Sequence, residues 1–593
     1  MLTTNDTHQQ FATYFKDEAL YPYLYMLSLK MNEGHICIPT ATIDAHKIPN
    51  YDKKIASIAN IQSPLLGNAL EYKPFIVHNE QLYMQRYFNY ESIIMERLLQ
   101  FAAADAAQPN RDWDLIKKQV HHWYPNINNE EHIDWQLVAV LVALQHRFSI
   151  ITGGPGTGKT TTVAKLLSLI LEQNPKTKIA IAAPTGKAAM RMAESLSIAS
   201  QHLPENIRLL LTQLQPLTLH RLLGWQQDSI YFKYNNEHSL PYDVIIIDEA
   251  SMIDIALMAK LMLAIGSNTQ LILLGDKNQL ASVEAGSIFG DICNLLPEQI
   301  VIDNNTQNLL DFIKDKSTLD VSYNTTNNYN TLLQSITTLR YSRRFNSEKG
   351  IGQLSHIVIN SQQEALQTLL EQNAHEELVF DHEYQENIFE NFALKYKYYL
   401  DAKEDMIKAI QLFNTTRILC ALREGEFGVK QINHKIEQFL IKNNFLLKEY
   451  NDSEDYDMRP IMVTQNNYEL GLYNGDIGII RYDASIQKMK AYFIDTTDPG
   501  LLKLKIVNAA LIKEKETAFA MTIHKSQGSE FDEVMIILPK EDKRNILTRE
   551  LLYTAITRAK TKVWLQGTTA MLAHVIQNKV SRISGIKARL LQA

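Results

Sequence analysis

Cysteine is scarce in this 593-residue chain: there are three, Cys37, Cys293 and Cys420, far apart from one another. That excludes a disulfide framework, a C-x-x-C zinc site and an iron–sulfur cluster, and it suits a reducing cytoplasm. Long hydrophobic runs are missing too. No stretch approaches about 18 uncharged apolar residues, so a helical membrane span is not expected. The opening MLTTNDTHQQ has no basic segment followed by an apolar run, so no signal peptide is expected. Positive charge is not in excess, with 59 Lys and Arg against 66 Asp and Glu and a formal net charge of −7. A uniformly basic nucleic-acid coat is therefore excluded, and any polyanion must bind in a local groove. Also missing are a Ser-His-Asp or Cys-His arrangement and a metal-dependent nuclease centre. The E-x-K triplet Glu541-Asp542-Lys543 lies in a polar loop without a strand ahead of it.

What is present begins with Gly153-Gly154-Pro155-Gly156-Thr157-Gly158-Lys159-Thr160, which fits G-x-x-x-x-G-K-[ST] and is followed by Thr161. The pattern predicts a strand over Phe148–Thr152 before it and a helix over Thr160–Leu171 after it. A helix start offers unpaired N–H groups and the positive end of a dipole, and glycines let backbone wrap closely around phosphates. Lys159 is positioned to reach the β- and γ-phosphates of ATP, and the Thr160 hydroxyl to bind Mg²⁺. Val244–Ile247 is an apolar run ending in Asp248-Glu249. Asp248 at a strand tip suits the Mg²⁺ shell, and Glu249 suits polarisation of the attacking water. Gln279, after another apolar run, carries an amide able to sense the γ-phosphate. Arg344 and Arg558 are candidate arginine fingers, whose planar donor forks stabilise charge on a transferring phosphoryl group. Thr185 and Lys187, His220, and His524 and Lys525 lie at the ends of predicted strands. Together they suit phosphodiester contacts without base readout.

Length alone predicts roughly three to five domains. Residues 1–120 have helical spacing and dense aromatics, including Tyr21, Tyr23, Tyr25, Tyr83, Tyr87, Phe88 and Tyr90. They predict a small helical domain, either aromatic-cored or a partner-docking surface. Residues 121–350 alternate short β-branched runs with helices, which predicts an α/β lobe on a parallel sheet. Within it, 226–240 reads as a hairpin insertion and 301–331 as a poorly ordered polar excursion. A second α/β lobe takes 351–440 and 516–593. Residues 441–515 change to short β-like runs around turns such as Asn474-Gly475-Asp476, and predict an inserted small β-barrel.

The ordered set Asp134-Trp135-Gln136, GGPGTGKTTTVAKLL, APTGKAA, TLHRLLG, VIIIDEASMID, LLGDKNQL, SRRF, LGLYNGDIG, TIHKSQGSEF and ELLYTAITRAK resembles the superfamily-1 helicases. In detail it is most similar to the RecD family, the alpha subunit of bacterial exodeoxyribonuclease V. EGHICIP and LYMQRYFNYE extend the resemblance to the N-terminal region. The resemblance implies two tandem RecA-like P-loop NTPase lobes with an SH3-like insertion. It implies an ATP-dependent 5′→3′ DNA helicase acting in double-strand break repair, with RecB-like and RecC-like partners and an N-terminal domain that docks on the latter. It also implies that Gln136 reads adenine. A departure is Arg343, which stands where the family has an aromatic. The alternative is a stand-alone RecD-like helicase, a longer type with helix-hairpin-helix elements ahead of the motor; no such repeat is visible here.

Overall fold

The computed structural model describes residues 6–592 except 42, 50, 105–110, 124–133, 227, 228, 230, 283, 296–303, 315–330, 373–375, 447–453, 468, 496–502, 543 and 544. Two parallel sheets carry the architecture. The first has six strands in the order Ile336–Leu339, Phe148–Gly153, Gln270–Gly275, Val244–Ile247, Ile179–Ala183 and Leu217–Thr218. The second has five, in the order Leu378–Asp381, Ala559–Gln566, Phe531–Ile537, Thr416–Cys420 and Ala520–Thr522. Every pairing in both is parallel.

Parallel strands covered on both faces must be apolar at every position, and the first sheet shows why. Ile150, Ile245, Ile247, Leu271 and Leu273 point into one core with helix Ile255–Ala264. Their neighbours Ile151, Val244, Ile246, Ile272 and Leu274 point into the other, with helices Trp135–Gln145 and Lys159–Gln173. Each such aliphatic side chain contributes about 1.5–3 kcal/mol when fully buried. This alternation fixes the register and brings the C-terminal strand ends to one edge of the sheet, where α/β proteins bind ligands.

The expected strand Phe148–Thr152 is present and runs one residue further, to Gly153, and the apolar run Val244–Ile247 is a strand. Residues 460–517 form a five-stranded antiparallel sheet in the order Lys503–Asn508, Lys488–Asp495, Ile477–Asp483, Pro460–Val463 and Lys515–Thr517. The last strand carries this insertion past the expected boundary at residue 515.

Several expectations need correction. The N-terminal region is not simply helical. It holds a four-stranded sheet, Cys37–Pro39, Gln81–Met84, Phe75–His78 and Leu66–Gly67, beside its helices. Its helical spacing is genuine in Tyr21–Asn32 and Gln85–Ala104, but the strands are only two to four residues long, too short to register a period of two. Its aromatics are mostly core: Tyr23 is 2% exposed and Tyr83 0%, whereas Tyr14 and Tyr72 face solvent. The described residues of 226–240 form turns and bends rather than a hairpin. In the supposed polar excursion, Asn304–Lys314 is a helix whose Leu310 and Ile313 join the first lobe's core, and 315–330 lie outside the described residues. Helix Trp113–Trp123 also belongs to that lobe, through Ile116 and Val120.

The end of the chain does not stay with the second lobe. Residues 582–592 cross to the first lobe and the N-terminal region, where Ile586 and Leu590 pack with Ile36, Leu98 and Met258. Glu91, fully buried, holds this strap. It accepts from the Gly585 N–H at 2.8 Å, from Arg589 Nη1 at 3.2 Å and from the Tyr83 hydroxyl at 3.2 Å. Glu91→Ala is expected to lower stability by about 1–3 kcal/mol, because it strands the buried Gly585 N–H and the Tyr83 hydroxyl and removes the Arg589 partner. Chemical denaturation measures this, and a shift below 1 kcal/mol would remove Glu91 from that role.

Candidate active site

The loop after strand Phe148–Gly153 is shaped by two left-handed glycines, Gly156 at φ +75° and Gly158 at φ +87°. Gly158 starts helix Lys159–Gln173 without a side-chain cap, which leaves the first-turn N–H groups for a ligand. A Cβ on Gly158 would lie 2.2 Å from Gln136 Nε2, and one on Gly156 would lie 2.4 Å from Arg344 Cβ. Both positive φ values strain a side chain, and at Gly156 the clash is with the base of Arg344, which the loop pins. The Thr157 hydroxyl donates to the Gly154 carbonyl at 2.8 Å and tightens the turn. Lys159 Nζ folds back over the loop, donating to the carbonyls of Gly153 at 2.6 Å and Gly154 at 3.3 Å. Its ammonium thus lies over the cradle where a phosphate chain fits. Gln136, 7% exposed, braces the loop by donating to the Thr157 carbonyl at 3.1 Å.

At the neighbouring strand ends stand three carboxylates. Glu249 sits at φ +51°, ψ +39°, and its N–H donates to Asp248 Oδ1 at 2.9 Å. A left-handed backbone at a non-glycine residue costs about 1–3 kcal/mol and recurs at functional sites. Burial first, and the Glu249 charge second, raise the Asp248 carboxyl above the usual carboxylate range, with the Lys159 ammonium opposing them. Burial also raises Asp276, which accepts from Gln279 Nε2 at 3.2 Å and from the Tyr553 hydroxyl at 3.0 Å.

Tyr553 belongs to the second lobe, on helix Arg549–Ile556, and a Cβ on Gly154 would lie 3.0 Å from its hydroxyl. The site is therefore a seam between lobes. Leu280, next to Gln279, donates its N–H to Thr554 Oγ1 at 2.9 Å and accepts from Gln527 Nε2 at 2.8 Å. Arg558, one turn beyond Thr554 and 2% exposed, anchors Nε on the Thr554 carbonyl and Nη1 on the Ser529 carbonyl, both at 3.1 Å. Ser342 Oγ donates to the Pro155 carbonyl at 2.9 Å and the Arg343 N–H to the Gly156 carbonyl at 2.8 Å. Of the two adjacent arginines, Arg343 thus holds the loop through its backbone, while the Arg344 side chain reaches Glu530 at 2.5 Å.

The residues expected to contact a strand divide. Thr185 caps helix Gly186–Ala199 by accepting from the Ala188 N–H at 3.2 Å. Lys187, in its first turn, is pushed down to about 7 by burial first and the Arg417 charge second. A Cβ on Gly528, in the turn after His524, would lie 3.3 Å from Ala188 Cβ, so the turn and the helix start adjoin. His220 and His524 are exposed. Lys525 is committed to Glu516 at 2.7 Å, which ties the turn to the inserted sheet. Tyr473 of that sheet seats against Gly186, and the Arg221 guanidinium stacks 4.9 Å from its ring centroid.

Arg191, Glu530, Asp276, Tyr553 and Tyr473 are site residues that motif reading passed over. Glu530, Tyr553 and Tyr473 lie inside recognisable stretches, so spacing could have raised them. Arg191 carries no local signal, because an arginine on a helix is ordinarily a solvated charge.

A phosphate loop, strand-tip carboxylates and an arginine, Arg558, delivered by a second α/β lobe define a two-lobed P-loop ATPase. The AAA domain family matches residues 136–285, and the UvrD-like helicase C-terminal domain family matches 517–566. The chain is 34% identical to the RecBCD enzyme subunit RecD of Mycolicibacterium smegmatis, over 92% of this chain and 88% of that protein. It is 34% identical to the RecD subunit of Haemophilus influenzae, over 80% of this chain and 74% of that one. The ATP-dependent RecD2 DNA helicase of Deinococcus radiodurans matches at 24%, over 80% of this chain and 53% of that protein. This chain belongs to the RecD family.

Proposed function

We propose that the chain is the ATP-dependent 5′→3′ DNA helicase subunit of a RecBCD-type enzyme, working in the cytoplasm with RecB-like and RecC-like subunits in double-strand break repair. The observation that carries this is the seam. The phosphate loop, Asp248-Glu249 and Gln279 come from one lobe, while Tyr553 and Arg558 come from the other, so hydrolysis there must bias how the lobes sit.

In this reading both lobes are RecA-like, the 460–517 sheet is the SH3-like insertion, and the N-terminal region docks on the RecC-like partner. Gln136 lies beside the adenine. Gly153, Gly154, Pro155, Gly156, Thr157, Gly158, Thr160 and Thr161 line the phosphates with Lys159. Thr160 and Asp248 are oxygen donors of the kind Mg²⁺ takes, and the bound ion would neutralise phosphate charge. Glu249 orients water toward the γ-phosphorus, and Arg344 and Arg558 meet the charge that grows as the β–γ bridge breaks. Gln279 couples the site to the strand through Leu280, Thr554 and Gln527. Thr185, Lys187, His220, His524 and Lys525 follow the strand's backbone. Lys525 does so only if its pair with Glu516 opens.

Duplexes with a 5′ or a 3′ single-stranded tail test the assignment in a strand-displacement assay with the partner subunits' own motors inactivated. Displacement is expected from the 5′ tail. Displacement from the 3′ tail alone would reverse the polarity.

A further inference from the structure

Glu530 lies in the turn before strand Phe531–Ile537 of the second lobe, its side chain 12% exposed. Two cations from outside that lobe converge on the same oxygen. Arg344 Nη1 reaches Oε1 at 2.5 Å, and Arg191 Nη2 pairs with that oxygen as well. Arg344 has little freedom elsewhere, because Ser342 and Arg343 pin its backbone to the phosphate loop. Only its guanidinium can choose a partner, and a carboxylate oxygen offers it an anionic acceptor as a phosphate oxygen does. In this structure Glu530 occupies Arg344 as a phosphate would.

Arg191 connects this contact to the start of helix Gly186–Ala199. It lies four residues after Lys187, on the same helix face, and the two charges sense one another. The charges of Arg558, Glu249 and Asp248 act on it as well. One helix therefore begins at the residues assigned to the strand, Thr185 and Lys187, and a turn later grips the carboxylate that holds Arg344.

The geometry points to Glu530 as an electrostatic catch that keeps Arg344 off the γ-phosphoryl group until DNA is bound, with Arg191 as the positioning residue that links release to the strand. A phosphodiester at the helix start shifts the Lys187–Arg191 face. Glu530 follows Arg191, and Arg344 is freed for the nucleotide. The inference rests on the reading of the chain as a DNA-activated ATPase.

The test is steady-state ATP hydrolysis by the full chain in complex with its partner subunits, with their motors inactivated, measured with and without a thymidine oligonucleotide. Wild type comes first. If the oligonucleotide gives no stimulation, the functional reading itself fails. Given stimulation, E530Q is expected to raise the DNA-free kcat at least fivefold, leave KM for ATP within about twofold, and shrink the stimulation ratio accordingly. R191A is expected to bind the oligonucleotide by fluorescence anisotropy yet lose most of the stimulation, since the Arg344–Glu530 pair persists. Joining the two changes should restore the high DNA-free rate. A raised KM with an unchanged DNA-free kcat in E530Q would make Glu530 a nucleotide ligand and overturn the catch. Full stimulation in R191A would overturn the link to the strand.

Discussion

Lys159→Gln eliminates DNA-stimulated ATP hydrolysis by this subunit, a fall of at least about 10²- to 10³-fold, the scale seen when one preorganised donor to a developing charge is removed. The lysine is the cation over the loop, within reach of the Gly153 and Gly154 carbonyls, and it opposes the charge on Asp248. Glutamine keeps the length and a donor but loses the charge. Folding should be untouched, because the bonds shaping the loop come from Thr157, Gln136, Ser342 and Arg343. The measurement is single-turnover hydrolysis, together with size exclusion of the chain with its partner subunits. A variant that hydrolyses within tenfold of wild type would remove Lys159 from the phosphate site. A variant that cannot assemble would contradict the separation of motor and docking regions.

Arg558→Ala should cost about 10³- to 10⁵-fold in kcat, the range associated with an arginine finger. Stability complicates the reading, because truncation removes the Arg558 donor from the Ser529 carbonyl, costing about 1–3 kcal/mol, while the Thr554 carbonyl keeps the Thr557 hydroxyl. Arg558→Lys separates the two effects. It keeps a cation able to reach one carbonyl and loses the planar fork. The lysine variant is expected to fold, to bind nucleotide with little change in affinity, and still to lose most of its kcat. Retention of more than a tenth of the wild-type kcat by the lysine variant would mean that Arg558 only ties Ser529 to Thr554.

Much of the site was legible before any coordinates. Residues 153–160 demand a left-handed backbone at two points and a helix start directly after, and only glycine suits Gly156 and Gly158. The buried strands were legible because a sheet covered on both faces requires unbroken apolar runs such as Val244–Ile247. The N-terminal sheet was not, since strands of two to four residues carry no usable period. The Asn304–Lys314 helix was hidden by its polar composition: burial of Leu310 and Ile313 against the first lobe decides it.

By itself, the order of residues determined the local chemistry: a phosphate-binding turn, carboxylates at strand tips, and arginines able to meet a phosphoryl group. Helix periodicity, glycine conformation and apolar runs are properties of neighbours along the chain, so they can be read from it. The folded molecule alone decided that Arg344 rests on Glu530 beside Arg191, that Tyr553 closes over Asp276, and that residues 582–592 return to Glu91. Those pairings join groups far apart along the chain. Their partners are selected by burial and distance in space, for which spacing along the chain carries no signal.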